Sequence, residues 1–189
     1  MPATRPHASD EHIVSLLRSE ETFEEGFRLL LRTYGERLYG HIRRLVLTHQ
    51  DADDVLQNTF IKVYRGISGF EGKAQLYTWL YRIATNEALS FLENRRRQQT
   101  ISIEDGESPI VQRLRSDPYF DAEGLQRQLY EAVARLPDKQ RAVFNLRYFE
   151  EMPYEEMSRL FDTSVGALKA SFHHAVKKVE NYLRDHNLH

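Results

Sequence analysis

The sequence predicts an all-α protein of two small helical domains joined by a flexible linker, the C-terminal domain being a four-helix unit. Three observations carry this reading. Apolar residues recur three and four positions apart through most of the chain, which is the spacing of one helix face. Only nine glycines and six prolines interrupt 189 residues rich in Leu, Arg and Glu. The periodicity lapses at length only over residues 98–121, where Gly106, Pro109 and Pro118 sit among acids. A stretch of that length without periodicity marks a boundary between compact units. Domains are therefore expected at 10–97 and 122–185, with 98–121 as linker.

Residues 10–47 read as two or three helices. Ile13, Leu16 and Leu17 open the apolar pattern, and Phe23, Phe27, Leu30 and Leu31 continue it. After Tyr34 and Gly35 it resumes with Leu38, Tyr39, Ile42 and Leu45. Thr48, His49 and Gln50 break it, and Asp51 is expected to cap the next helix. That helix buries Ala52, Val55, Leu56, Thr59, Phe60, Val63 and Ile67. Its other face carries Asp53, Asp54, Gln57, Asn58, Ile61, Lys62 and Arg65. Ile61 there is either an isolated surface apolar residue or part of a protein-binding face.

A loop at 66–72, with Gly69 and Gly72, leads to a helix from about Leu76. Leu80, Ile83, Ala84, Ala88 and Phe91 line its inner side, while Tyr77, Arg82, Asn86 and Arg95 to Arg97 face away. Rings beside cations are what single-stranded nucleic acid requires, since bases stack on rings and cations track the backbone. Trp79 and Tyr81, at helical spacing, belong more naturally to the core.

Beyond the linker, Leu125, Leu129, Val133 and Leu136 mark a helix ending at Pro137. Asp138 is expected to cap the next, which carries Val143, Phe144, Leu146 and Tyr148. Residues 152–179 then read as two helices around a tight turn. Met157, Leu160 and Phe161 supply the first apolar face; Val165, Leu168, Phe172, Ala175 and Val179 supply the second. Pro153, Glu155 and Glu156 suit a helix N-terminus. In the turn, Asp162 tolerates a left-handed backbone and Ser164 is a good N-cap. This is the pattern of a helix-turn-helix, whose second helix enters the DNA major groove. Gly166, Ala167 and Ala170 allow close approach to a groove. Lys169, Ser171, His173, His174, Lys177 and Lys178 are donors, with no acid between Thr163 and Val179.

Composition narrows the function classes. With no cysteine there is no disulfide, thiolate nucleophile or cysteine-ligated zinc. No apolar run is long enough to span a membrane and the first residues lack a secretory core, so a cytoplasmic location is expected. No nucleophile–base set or phosphate-cradling glycine loop is evident. His186 and His189 lie in a polar tail, and the adjacent His173 and His174 diverge on a helix. Neither catalysis, a metal nor a cofactor is expected. The net charge of −2 implies weak binding to free DNA, because displaced counterions supply most non-specific affinity. Something else should deliver the protein to DNA.

Both halves resemble one family. The stretches DADDVLQNTF (51–60), FEGK (70–73), YTWLYRIATN (77–86) and LPDKQRAVFNLRY (136–148) are similar to those of an extracytoplasmic-function sigma factor. So are YEEM (154–157), VGALK (165–169) and HHAVKK (173–178). The resemblance covers about residues 20–184 in the right order.

It implies a protein that binds core RNA polymerase and recognises and melts a two-part promoter. The helix from Asp51 would dock on the polymerase clamp of the beta-prime subunit through Asp53, Asp54, Gln57, Asn58 and Ile61. Phe70, Lys73, Tyr77, Arg82 and Asn86 would open and read the −10 element, where a base leaves the stack. The linker, with Glu104, Asp105 and Glu107, would thread the polymerase interior. Ser164, Lys169, Ser171, His173, His174, Lys177 and Lys178 would bind the −35 duplex, with Lys169 the leading contact. The resemblance also implies the beta flap as a docking site and an anti-sigma factor as partner, without membrane insertion by this chain. Many relatives carry glycine where this chain has Asp162, and arginines where it has Ser171 and His174. Fewer arginines mean fewer bidentate guanine contacts, so the −35 sequence does not carry over from a relative. The main rival, a stand-alone regulator, predicts tight duplex binding without polymerase.

Overall fold

Burying one apolar stripe per helix dictates the architecture. The computed structural model describes residues 9–72, 75–99, 117–120 and 124–187, and among these it contains eight α-helices and no strand. The first half holds α1 (Asp10–Leu17), α2 (Phe23–Val46), α3 (His49–Gly66) and α4 (Leu76–Gln99). The second holds α5 (Leu125–Ala134), α6 (Asp138–Tyr148), α7 (Tyr154–Phe161) and α8 (Val165–Asn187). Lys73, Glu104, Asp105 and Glu107 lie outside the described residues.

Local chemistry sets most boundaries. Ser9 caps α1, its hydroxyl accepting from the His12 amide at 3.3 Å. Residues 10–47 form two helices, α2 running unbroken through Gly35. Mid-helix glycine costs about 1 kcal/mol, which burial of Leu30, Tyr34, Leu38 and Ile42 offsets. The cap of α3 differs from expectation. Thr48 takes that position, accepting from the Asp51 amide at 3.3 Å, so the helix starts at His49. Asp51 instead lies in the first turn and pairs with Arg95.

Two further ends also move. Helix α5 stops at Ala134, three residues before Pro137. Asp138 is the first residue of α6 and makes no cap bond; its carboxylate takes Arg141 at 3.0 Å and also Arg96. The turn between α7 and α8 forms as expected. Asp162 is left-handed, at φ 49° and ψ 49°, and the Ser164 hydroxyl accepts from the Ala167 amide at 3.2 Å.

The two halves pack on each other. Ile13, Leu30, Leu38, Ile42, Val55, Val63 and Leu80 form one cluster with Val143, Leu146, Met157, Leu160 and Leu168. A second cluster lies within the C-terminal half, made of Val133, Leu136, Phe144, Ala175 and Val179. Helix α6 contacts both α2 and α8, and every residue from Arg141 to Leu146 is buried.

Polar groups in this interior have consequences. His41 is fully buried, with Nε2 2.9 Å from the Thr85 hydroxyl and its ring 5.0 Å from that of Tyr81. Burial first, then the Arg44 charge, lower its pKa to about 3. The folded protein therefore holds this ring neutral while the unfolded chain protonates it near pH 6.5. Stability from this group is complete above pH 6.5 and is lost as pH falls toward 3. Linkage sets the loss between pH 7.5 and pH 5 at about 2 kcal/mol. Urea unfolding at the two pH values checks this, and His41→Gln should flatten the difference. An equal slope in the variant would assign the acid sensitivity elsewhere.

Candidate nucleic-acid and protein-docking surfaces

Helix α8 is anchored by Leu168, Ala175 and Val179, which face inward, with Phe172 and Val176 partly covered. Its opposite side exposes Gly166, Ala167, Lys169, Ala170, His173, His174 and Lys177. This row can approach a groove and donate hydrogen bonds along it, as the spacing predicts. Lys169 leans over the Tyr154 ring, its Nζ 5.7 Å from the centroid, which steers the cation without neutralising it. Two donors sit differently from the rest. Lys178 donates to the Gln140 side chain at 2.9 Å, bridging to α6. Ser171 is half-buried and turns toward α4.

The groups expected to face single-stranded DNA are only partly open. Phe70 is half-buried, with its ring 5.4 Å from that of Trp79. Arg82 and Asn86 are exposed. With Lys139, Thr163 and Ser171 they line a cleft of about 450 Å³ floored by Leu89, Val143 and Leu160. One cleft thus gathers side chains from both predicted readout elements. Tyr77 is not on a free face. It is half-buried, 4.4 Å from the Tyr81 ring, and its hydroxyl donates to the Glu150 carbonyl at 3.3 Å. Burial, and after it Glu150, push the Tyr77 and Tyr81 hydroxyl pKa values upward, so both stay protonated donors.

On α3 the expected row is well presented. Asp54, Gln57, Asn58 and Ile61 are all exposed, Ile61 at 42 %. They follow at three- and four-residue spacing and share one face. Tyr64, exposed at 54 %, extends the row and meets the Phe23 and Phe27 rings edge-on, each centroid 5.2 Å away. Asp53 belongs less clearly to it, because its carboxylate lies 3.3 Å from His49 Nε2.

Sequence reasoning missed Tyr64, Thr78, Lys139, Glu150 and Glu156. The first continues a row already visible. The others come into play only when α4 and the C-terminal half meet, and no periodic signal marks them. Among the described residues, no group of three His, Asp or Glu side chains is placed to hold a metal ion. No described helix is long and apolar enough to cross a membrane.

Both halves of the chain have counterparts among known proteins. The chain matches Sigma-70 region 2 over residues 30–98 and Sigma-70 region 4 over residues 126–179. It is 31% identical over 175 residues to the ECF RNA polymerase sigma-E factor of Haemophilus influenzae, covering 88% of this chain and 92% of that one. It is 30% identical to the RNA polymerase sigma-H factor of Pseudomonas aeruginosa, covering 93% and 94%. Its fold is similar to that of the sigma factor RpoE in complex with the anti-sigma factor NepR from Bartonella quintana. There the TM-score is 0.69 and the identity 22%, covering 85% of this chain and 98% of that one. CnrH in complex with the cytosolic domain of CnrY has a TM-score of 0.68 at 19% identity, covering 93% and 97%. At these identities the structural likeness is one of fold.

Proposed function

The chain belongs to the extracytoplasmic-function sigma factors of RNA polymerase, and from that membership we propose how its helices divide the work of promoter-specific transcription initiation. Residues 10–97 act as the unit that binds core polymerase and melts the −10 element. Residues 122–185 read the −35 element, and 98–121 connect them inside the polymerase. The exposed, acid-free row of α8 carries the −35 assignment: Lys169, His173 and His174 reach toward base edges and Lys177 toward phosphate. Ser164, Ser171 and Lys178 border that row.

Helix α3 docks on the clamp of the beta-prime subunit through Asp54, Gln57, Asn58 and Ile61, with Asp53 at the margin. The second half meets the beta flap. Phe70, Lys73, Tyr77, Arg82 and Asn86 take the melted −10 strand. If polymerase supplies most of the affinity for DNA, a net charge of −2 is no obstacle to specificity. The protein performs no catalysis of its own and works in the cytoplasm. An anti-sigma factor restrains it, a reading supported by the relatives of like fold seen in complex with NepR and CnrY.

The test is run-off transcription from a fragmented genomic library with core polymerase, with and without this protein, alongside anisotropy of the protein on DNA alone. Transcripts that require the protein, with weak binding on its own, support the division of labour. Tight duplex binding without transcripts would overturn it. Lys169→Ala should lower output from the promoters so identified by roughly tenfold, the scale of one base contact. Its affinity for core polymerase should not change. Equal loss of both would refute the assignment of Lys169 to DNA.

A further inference from the structure

The cleft beside Arg82 and Asn86 has the size and lining of a small-molecule site. Its volume of about 450 Å³ falls within the range of such pockets, about 300–1,000 Å³. Leu89 of α4, Val143 of α6, Leu160 of α7 and Leu168 of α8 give it an apolar floor. Arg82, Asn86 and Lys139 are the exposed polar groups that converge on it from α4 and α6.

Two cations in this lining have no acid to pair with. On the same two helices Arg95 pairs with Asp51, Arg97 with Glu93, and both Arg96 and Arg141 with Asp138. Arg82 and Lys139 form no ion pair among the described residues. A single exposed cation is commonly just solvated. Two that meet over an apolar floor, one from each half of the chain, suit an anion with an apolar body.

The lining also holds a ring without a partner. Phe161 is half-buried and meets no other ring among the described residues, whereas Phe172 stacks on Phe144 at 5.7 Å. A free ring face takes a planar base by stacking. The Asn86 side chain makes no hydrogen bond among the described residues, and its donor–acceptor pair matches the N6–N7 edge of adenine. A guanidinium grips phosphate at two points, and an ammonium adds a point charge. Stack, base edge and phosphate are thus each met by a side chain that no other described residue engages. The one acid in the lining, Asp162, is exposed in the turn beside Phe161. It repels phosphate there, so the base lies toward the turn and the phosphates toward Arg82 and Lys139.

We propose that this cleft binds a free adenine nucleotide, with its base on Phe161 and Asn86 and its phosphates on Arg82 and Lys139. The bound nucleotide competes with the −10 strand for Arg82 and Asn86. That consequence rests on the assignment of these two residues to the strand; the binding itself does not.

The probe is ADP carrying a fluorescent N-methylanthraniloyl group on its ribose, followed by anisotropy on the full chain. Saturable binding is expected, reversed by unlabelled ADP at lower concentration than by adenosine or inorganic phosphate. Phosphate as effective as ADP would overturn the proposal, since a simple anion site needs no base. Lys139→Ala should weaken the complex by about tenfold, the loss of one charged contact. Asp162→Asn should tighten it severalfold, because asparagine keeps the left-handed turn while the repelling charge goes. A gain of that kind cannot come from unfolding. No response to either substitution would put the probe elsewhere on the protein and sink the idea. A short single-stranded oligonucleotide distinguishes the two sources of nucleotide. If it binds and ADP does not, the cleft serves the strand alone and the proposal fails. Lys139→Ala should still support run-off transcription, since Lys139 is not assigned to the promoter or to polymerase. Absence of run-off transcripts with the unaltered protein would strike the functional reading and leave the nucleotide complex standing.

Discussion

Replacing Arg141 by methionine should lower the free energy of unfolding by about 3–5 kcal/mol, the scale of removing one member of a buried charged network. The side chain is 3% exposed as a residue, and its guanidinium serves four acceptors. These are the carbonyls of Ala134 at 3.0 Å, Leu136 at 3.3 Å and Leu45 at 2.7 Å, and the Asp138 carboxylate at 3.0 Å. Ala134 ends α5 and Leu45 lies in the last turn of α2. One cation thus satisfies the trailing carbonyls of two helices from different halves, where cations are also favoured by the helix dipoles. Burial lowers its pKa and the neighbouring Asp138 opposes that shift; an arginine remains charged through both. Methionine fills the stem volume but leaves the carbonyls buried without donors, each costing about 1–3 kcal/mol. Urea unfolding measures the loss. Arg141→Lys should fall between, keeping the charge without the fork. A loss below about 1 kcal/mol for methionine would mean that water replaces the guanidinium, and the joint between α2 and α6 would carry less than argued.

The second large effect concerns polymerase. Asp54→Arg should weaken the complex with core polymerase by about tenfold to a hundredfold, within the range of close interfacial charge pairs. Stability should stay within about 0.5 kcal/mol, because Asp54 is exposed on α3 and lies away from the core. Anisotropy of the labelled chain titrated with core polymerase gives the first quantity, and thermal unfolding the second. Asp53→Arg is a poorer probe, since it also removes the contact with His49. An undiminished complex at Asp54→Arg would move the docking face off this row.

Much of this architecture is legible residue by residue. The left-handed Asp162, the Ser164 cap and the inward stripe of Leu168, Ala175 and Val179 all follow from local rules. So does the exposed row from Asp54 to Ile61, because a stripe that buries Val55, Thr59 and Val63 leaves the opposite face to solvent. Local rules do less well where two options compete within a turn. Thr48 and Asp51 are both good caps, and the backbone chose Thr48, leaving Asp51 free to meet Arg95 some forty residues on.

What periodicity conveys is one apolar face per helix, and it is enough for the all-α class and for the pattern of the helix-turn-helix. It does not report a second face closed by polar groups. Tyr77 reads as DNA-facing and Tyr81 as core, yet their hydroxyls, with that of Thr78, end on Glu150 and Glu156, sixty-nine to seventy-eight residues away. Hydrogen bonds of that span have no sequence period, because their geometry depends on how two finished helical units dock. The closed arrangement of α4 against the C-terminal half therefore belongs to tertiary structure alone.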